Sequence, residues 1–357
     1  MGQFSAPPPA AGRLRLLGVL GLCLAACSDA PTAPPVPAPP ADLEWTEVPG
    51  NPILEQPTCP TWNCLGMSDP WLGRMPDGRT VLWVSAGGDA GDGGPVVGRA
   101  TGPSARQLTF DASAPQVTPR DGVWDRGRET VSTRYDPGTE RGTMWTLSYS
   151  QSFFDDPAIG QYTSSDAEGT VFERPPAPIY RPTPGAWDGA FITDPVALRT
   201  PDGSWRRYYV GAGTTGGVGL LTSSDGQTWT PHPDNPVFER DLSGWDQGFV
   251  GIDVALIDGR YHLWYSGYEE PLDLTSTPIS IGLATSEDGI RWERAEANPV
   301  IRPGPEGAWN ELRIVSPSVR VEPDGTLLMA VHGQNREDAN GRSLGRIGLY
   351  RYGPAGE

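Results

Sequence analysis

Short apolar runs alternate with polar positions along most of the chain, and turn residues break the runs at close intervals. Asp-Gly turns stand between such runs at Pro76-Asp77-Gly78, Pro201-Asp202-Gly203, Asp258-Gly259 and Pro323-Asp324-Gly325, which is the sequence form of a β-hairpin. The pattern predicts strands at Thr80 to Ser85, Tyr261 to Gly267, Ser280 to Thr285, Ile314 to Val321 and Thr326 to His332. Sheet, not helix, is implied throughout.

The strands belong to a repeat. Ser224-Asp225-Gly226-Gln227-Thr228-Trp229 leads into Asn235-Pro236-Val237, and Glu287-Asp288-Gly289-Ile290-Arg291-Trp292 leads into Asn298-Pro299-Val300. Trp124, Trp187, Trp245 and Trp309 punctuate the chain roughly every 60 residues, the size of a four-stranded sheet with its turns, and a fixed long period decides architecture before any local signal does. They divide the chain into five units. The fifth, after Trp309, stops before its fourth strand, while Trp45 to Ile53 (WTEVPGNPI) matches Trp292 to Val300 (WERAEANPV). An all-β, five-bladed β-propeller follows for residues 43–357, with the last blade closed by the N-terminal strand; such closure leaves no blade open. Trp45, Trp229 and Trp292 share one repeat position and are assigned to blade cores.

Composition agrees with one such domain: 37% hydrophobic residues with 46 Gly and 39 Pro allow a core and many turns. The net charge of −17 argues against nucleic acid, whose phosphates require clustered Lys and Arg. Ahead of the repeats, Arg13 and Arg15 precede the apolar run Leu16 to Ala26, which ends Leu24-Ala25-Ala26-Cys27. This is an export signal. Its ending resembles the lipobox of bacterial lipoproteins, which implies removal of residues 1–26 and lipidation of Cys27, anchoring a monomer to the cell envelope, at the outer membrane or cell surface. Residues 27–42 then form an anchor and an extended Pro/Ala linker. In that compartment Cys59 and Cys64 are expected to form a small loop disulfide, a metal site being the weaker reading because no histidine is near. No cofactor is required by the pattern; Asp89-Ala90-Gly91-Asp92-Gly93 has oxygen ligands suited to a structural Ca²⁺ but lacks the full loop spacing.

Chemistry is expected in the central channel, where the innermost strands of all blades converge. Aligned from each tryptophan, Asp69, Glu129, Asp194, Asp253 and Ser316 fall at nearly the same position, so four of five are acidic. The blade count, the inner-strand Asp-Pro words, the Ala284-Thr285-Ser286 strand with its Asp-Gly turn and the Asn-Pro-Val words resemble glycoside hydrolases of families 43, 32 and 130. The resemblance covers residues 43–357. It implies a base or nucleophile at Asp69, and places the orienting and proton-donating roles at Glu129 and Asp194, with the two acid types exchanged relative to the family pattern. A carboxyl pair about 5 Å apart would favour retention, and one about 6.5–9.5 Å apart inversion. The substrate expected is a poly- or oligosaccharide, hydrolysed or phosphorolysed; the alternative is a propeller that binds carbohydrate, or serves as a scaffold, without catalysis. Trp62 and Trp71, which are not repeated, are candidates for stacking on sugar, and Arg128, Arg313, Asp253 and Glu311 are further candidate substrate contacts. His332 ends the second strand of the fifth blade, where the rim of a pocket would be, and reads as a packed or surface histidine with the pocket rim as the alternative.

Overall fold

The computed structural model describes residues 43–55, 66–87, 96–111, 124–135, 141–150, 156–166, 169, 171–273, 275–335 and 345–354. All regular structure among them is strand, arranged in five antiparallel sheets. Blade 1 runs Gly66–Arg74, Thr80–Gly87, Val96–Ser104 and Gln107–Phe110; blade 2 runs Gly127–Tyr135, Gly142–Tyr149, Ala158–Ser164 and Phe172–Glu173. Blade 3 holds Phe191–Arg199, Trp205–Ala212 and Gly216–Ser223, with Thr230–Pro231 and Phe238–Glu239 on the last of these. Blade 4 holds Gly248–Ile257, Arg260–Tyr268, Ser280–Ser286 and Glu293–Arg294. The first strands of successive blades touch in a ring that closes from blade 5 onto blade 1.

Blade 5 is completed from the other end of the chain. Arg313–Val321, Leu327–Gln334 and Gly345–Pro354 are followed in space by Leu43–Glu47, which pairs antiparallel with the last strand at Trp45↔Tyr352. The match between the Trp45 and Trp292 segments thus has a structural cause. In three blades the asparagine of the Asn-Pro word turns its amide onto the third strand: Asn51 takes both backbone groups of Leu349, Asn235 those of Leu220 and Asn298 those of Leu283, all at 2.8–3.0 Å. Each asparagine stands in for a missing strand residue, so the ladder ends with its polar groups paired. The Ser-x-Asp-Gly turns before them are locked in the same local way, with Asp225 accepting from the amides of Gln227 and Thr228 and Asp288 from those of Ile290 and Arg291.

The core is divided among the blade-to-blade seams. One buried cluster fills each of the five, for example Leu220, Tyr208, Leu263 and Tyr265 between blades 3 and 4, and Trp264, Ile281, Met329 and Val331 between blades 4 and 5. Second strands are apolar on both faces because both faces are covered, hence runs such as Leu82-Trp83-Val84 and Leu263-Trp264-Tyr265. The punctuation tryptophans seat their indoles against glycines of the second and third strands: Trp187 on Gly211 and Gly219, Trp245 on Gly267, Trp309 on Gly333 and Gly348. Their partner acid or amide is buried and bonds a blade tyrosine, as Asp125 does with Tyr162 (2.8 Å) and Asn310 with Tyr350 (2.9 Å).

Candidate active site

Every inner strand carries a β-bulge. The register shifts between Ser68 and Trp71, Glu129 and Ser132, Thr193 and Val196, Val250 and Ile252, and Val315 and Ser318. At the bulge Asp69, Asp194 and Ser316 adopt left-handed backbone with φ of 47°, 51° and 53°, and blade 4 has Gly251 there with φ 69°. Glycine is the ordinary occupant of such a position. A side chain held in this region costs about 1–3 kcal/mol and is kept where it serves a purpose; here it turns the carboxyl off the ladder and into the channel.

Three of the predicted acids line one central cavity of about 720 Å³. Asp69 is held by Ser68, whose hydroxyl donates to Oδ2 at 2.8 Å, and by Ser316 of blade 5, which donates to Oδ1 at 2.7 Å. Glu129 sits one residue before the bulge position and accepts from the Tyr149 hydroxyl at 2.6 Å. Burial, reinforced by the negative charge of Asp69, pushes its carboxyl up to about 7 despite that bond. Asp194 accepts from the Gly251 amide of blade 4 at 3.1 Å, and burial with the Asp69 charge raises it to about 7 as well. One carboxylate therefore bears on two carboxyls that hold protons near neutrality, an environment suited to acid–base work.

Other expected contacts lie elsewhere. Asp253 is two residues beyond the bulge position of blade 4, so its side chain leaves the cavity; it accepts from the amides of Val254 (2.7 Å) and Val319 (2.5 Å) and joins blade 4 to blade 5. Trp71 packs in the blade core with its indole nitrogen donating to Thr133 O at 3.0 Å, a blade 1–2 link. Arg128 is buried inside blade 2, where it bonds Asp125 O at 2.9 Å and lies over the Tyr162 ring. Glu311 accepts from Gly307 N at 2.5 Å in the loop leading to blade 5, away from the cavity. For Trp71 and Asp253 the reason is that they follow the bulge, which is invisible in an ungapped alignment and changes which side chains of the strand face the axis; Arg128 precedes its bulge and Glu311 lies before its strand. Arg313 does line the cavity, with burial lowering its guanidinium. Trp62, Cys27, Cys59, Cys64 and Asp89 to Gly93 lie outside the described residues.

Other residues in or against the cavity were not assigned to it from the sequence, apart from the pocket-rim alternative for His332. His332, at the end of a second strand, lines the wall, and burial holds it down to about 4, so it presents a neutral imidazole. Tyr149, which reaches the cavity only through its bond to Glu129, ends a strand of mixed apolar and hydroxyl residues; what marks it is its cross-strand partner Gly127, where a Cβ would collide with the tyrosine ring. Arg240 and Tyr268 also line the cavity. Among the described residues no cluster of three His, Cys, Asp or Glu side chains is arranged to hold a metal ion.

No protein-family profile matches the sequence. A stretch of 50 residues, 13% of this chain, is 40% identical to the A type blood N-acetyl-α-D-galactosamine deacetylase of Flavonifractor plautii, and spans 6% of that protein's length. Solved structures match over nearly the whole chain. The complex of BT0996 with RGII superposes with a TM-score of 0.67 at 17% identity, covering 85% of this chain and 92% of that one. A member of the glycoside hydrolase family 130 group of mannoside phosphorylases and hydrolases, directed to β-1,2-mannosidic linkages in Candida mannan, gives 0.65 at 16% identity with coverages of 90% and 97%. The F. plautii N-acetylgalactosamine deacetylase bound to blood group B trisaccharide gives 0.60 at 14%, covering 87% and 95%. At these identities the likeness establishes the five-bladed fold.

Proposed function

We propose that this protein cleaves glycosidic bonds of poly- or oligosaccharides, by hydrolysis or phosphorolysis, in the central cavity. Asp69 acts as base or nucleophile, and the Glu129–Asp194 pair supplies the proton donor. The observation that carries this reading is the convergence of three carboxyls from three blades, with Asp69 acting electrostatically on the other two. Glycoside cleavage needs that division: one carboxyl protonated beside the leaving oxygen, another ionised to activate water or attack the anomeric carbon. The fold neighbours named for carbohydrate chemistry support the reading by analogy. Assay of the purified protein and Asp69→Asn against aryl glycosides and oligosaccharides, with and without phosphate, tests it. Turnover by the native protein and its loss in the variant are expected; no turnover on any substrate, with sugar binding kept in both proteins, favours the non-catalytic binding propeller instead.

The local 40% identity to a sugar deacetylase favours a second reading, hydrolysis of an N-acetyl group on a sugar bound in the same cavity. Acetate released without new reducing ends would select it. We also propose that the chain is exported and lipid-anchored at Cys27, with Cys59 and Cys64 bonded to each other. Incorporation of labelled fatty acid that Cys27→Ala abolishes tests the anchor, and thiol alkylation before and after reduction tests the disulfide.

A further inference from the structure

The fold uses one device twice and leaves the second copy open. In blade 2, Gly127 faces Tyr149 across the ladder, the ring lies over the glycine, and the hydroxyl reaches Glu129 two residues along the inner strand. In blade 4, Gly248 faces Tyr268 in the same register, and a Cβ at Gly248 would collide with the Tyr268 ring in the same way. Two residues along stands Val250, where blade 2 has its carboxylate. Among the described residues no group hydrogen-bonds the Tyr268 hydroxyl, and the residue lines the cavity. Beside it, Arg240 lines the same wall, resting on Gly216 and held 3.4 Å from Glu270.

We propose that Tyr268 and Arg240 form a recognition site for a sugar carboxylate, so that the glycans taken by this cavity contain uronic acid. The ligand supplies in blade 4 the carboxylate that Glu129 supplies in blade 2. The inference rests on the carbohydrate reading of the cavity given above. A phenol and a guanidinium offer charge-assisted donors to the two oxygens of one carboxylate. Burial, with Glu270 close by, pushes the Tyr268 phenol up to about 12, so it remains a donor. The Arg240–Glu270 pair is partly exposed, at 32% and 41%, and such a pair contributes little to stability, so a ligand carboxylate displaces Glu270 readily. Arg313 adds a second cation to the cavity, near Asp273. Asp69, Glu129 and Asp194 line the same cavity, and an anionic sugar is favoured with its carboxylate at Arg240 and Tyr268, not beside those acids.

The test uses the full chain carrying Asp69→Asn, so that binding is measured without turnover. Affinity for uronic-acid oligosaccharides is compared by calorimetry with affinity for the same oligosaccharides after carboxyl reduction to neutral hexoses. The acid form is expected to bind about tenfold more tightly at low salt, with the preference weakening as salt rises. Arg240→Gln is expected to erase the preference, and Tyr268→Phe to reduce it several-fold, with melting curves reporting that each variant is folded. Equal binding of both forms, or a preference that survives both substitutions, overturns the proposal while leaving the glycosidase reading intact. Binding of neither form overturns both. A carboxyl preference in a native protein that cleaves nothing sustains this site and defeats the glycosidase reading.

Discussion

Asp194 and Asp253 occupy inner strands of adjacent blades and look alike in their raised carboxyls and in their bonds to the next blade. Burial raises both carboxyls to about 7, and each accepts a backbone amide from the next blade, Gly251 for one and Val319 for the other. They differ in their distance from the bulge. Asp194 occupies it and opens on the cavity beside Asp69, whereas Asp253 stands two residues past it and is sealed between strands. A raised carboxyl therefore marks burial first; only the cavity and a second charge make it a candidate for chemistry.

Substitution should separate the two most sharply. Asp69→Asn and Asp194→Asn are each expected to lower kcat by about 10²–10⁴-fold, the usual range for a general acid or base, while Asp253→Asn leaves kcat within a few-fold of the native value. Steady-state kinetics on the best aryl glycoside decides this, and equal losses at 194 and 253 would erase the distinction drawn between them. The pH profile sharpens it further. With Glu129 and Asp194 held to about 7, activity that needs a proton on either should fall as pH rises through about 7. Removal of the Asp69 charge lowers both carboxyls, so any residual activity of Asp69→Asn should show that limb at lower pH.

Asp253 should announce itself in stability instead. Its asparagine keeps one acceptor for two amides, a loss of about 1–3 kcal/mol for a buried group, to be read as a lower melting temperature. The direction with pH is set by the raised carboxyls. Asp253, Glu129 and Asp194 bind their protons more tightly folded than unfolded, so the stability they contribute is full below the ordinary carboxylate range near 3.8–4.5 and is lost as pH rises toward about 7. Asp253→Asn should flatten part of that slope. The smallest effect is expected at Tyr149→Phe: its hydroxyl favours the ionised form of Glu129, so its loss should raise that carboxyl further and move the basic limb of kcat to higher pH, with a several-fold change in rate. An unmoved limb would mean that Glu129 does not set it.

Much of the fold was readable in the chain because its determinants are local. The Asp-Gly turns, the Asn-Pro words and the tryptophan punctuation each bond within one blade, as Asn235 does to Leu220 or Asp225 to its own turn, so their spacing survives as a visible repeat. The same repeat brought Asp69, Glu129 and Asp194 close to register. The structure puts Trp71, Arg128 and Glu311 elsewhere, Trp71 in a bond to the neighbouring blade and Arg128 and Glu311 in bonds within a few residues, none of which leaves a periodic trace.

The architecture is legible in the chain: five sheets, their order, and the N-terminal strand that completes the last blade. Which of the aligned acids open on the cavity, Asp69, Glu129 and Asp194 but not Asp253, depends on the folded ring. The bulge adds a residue to each inner strand and reverses the side chains that follow, and the ring closure brings Ser316 onto Asp69 across 247 positions of sequence. Local propensity cannot encode either, because the direction of a side chain depends on strand register and its partner on the closure of the whole ring.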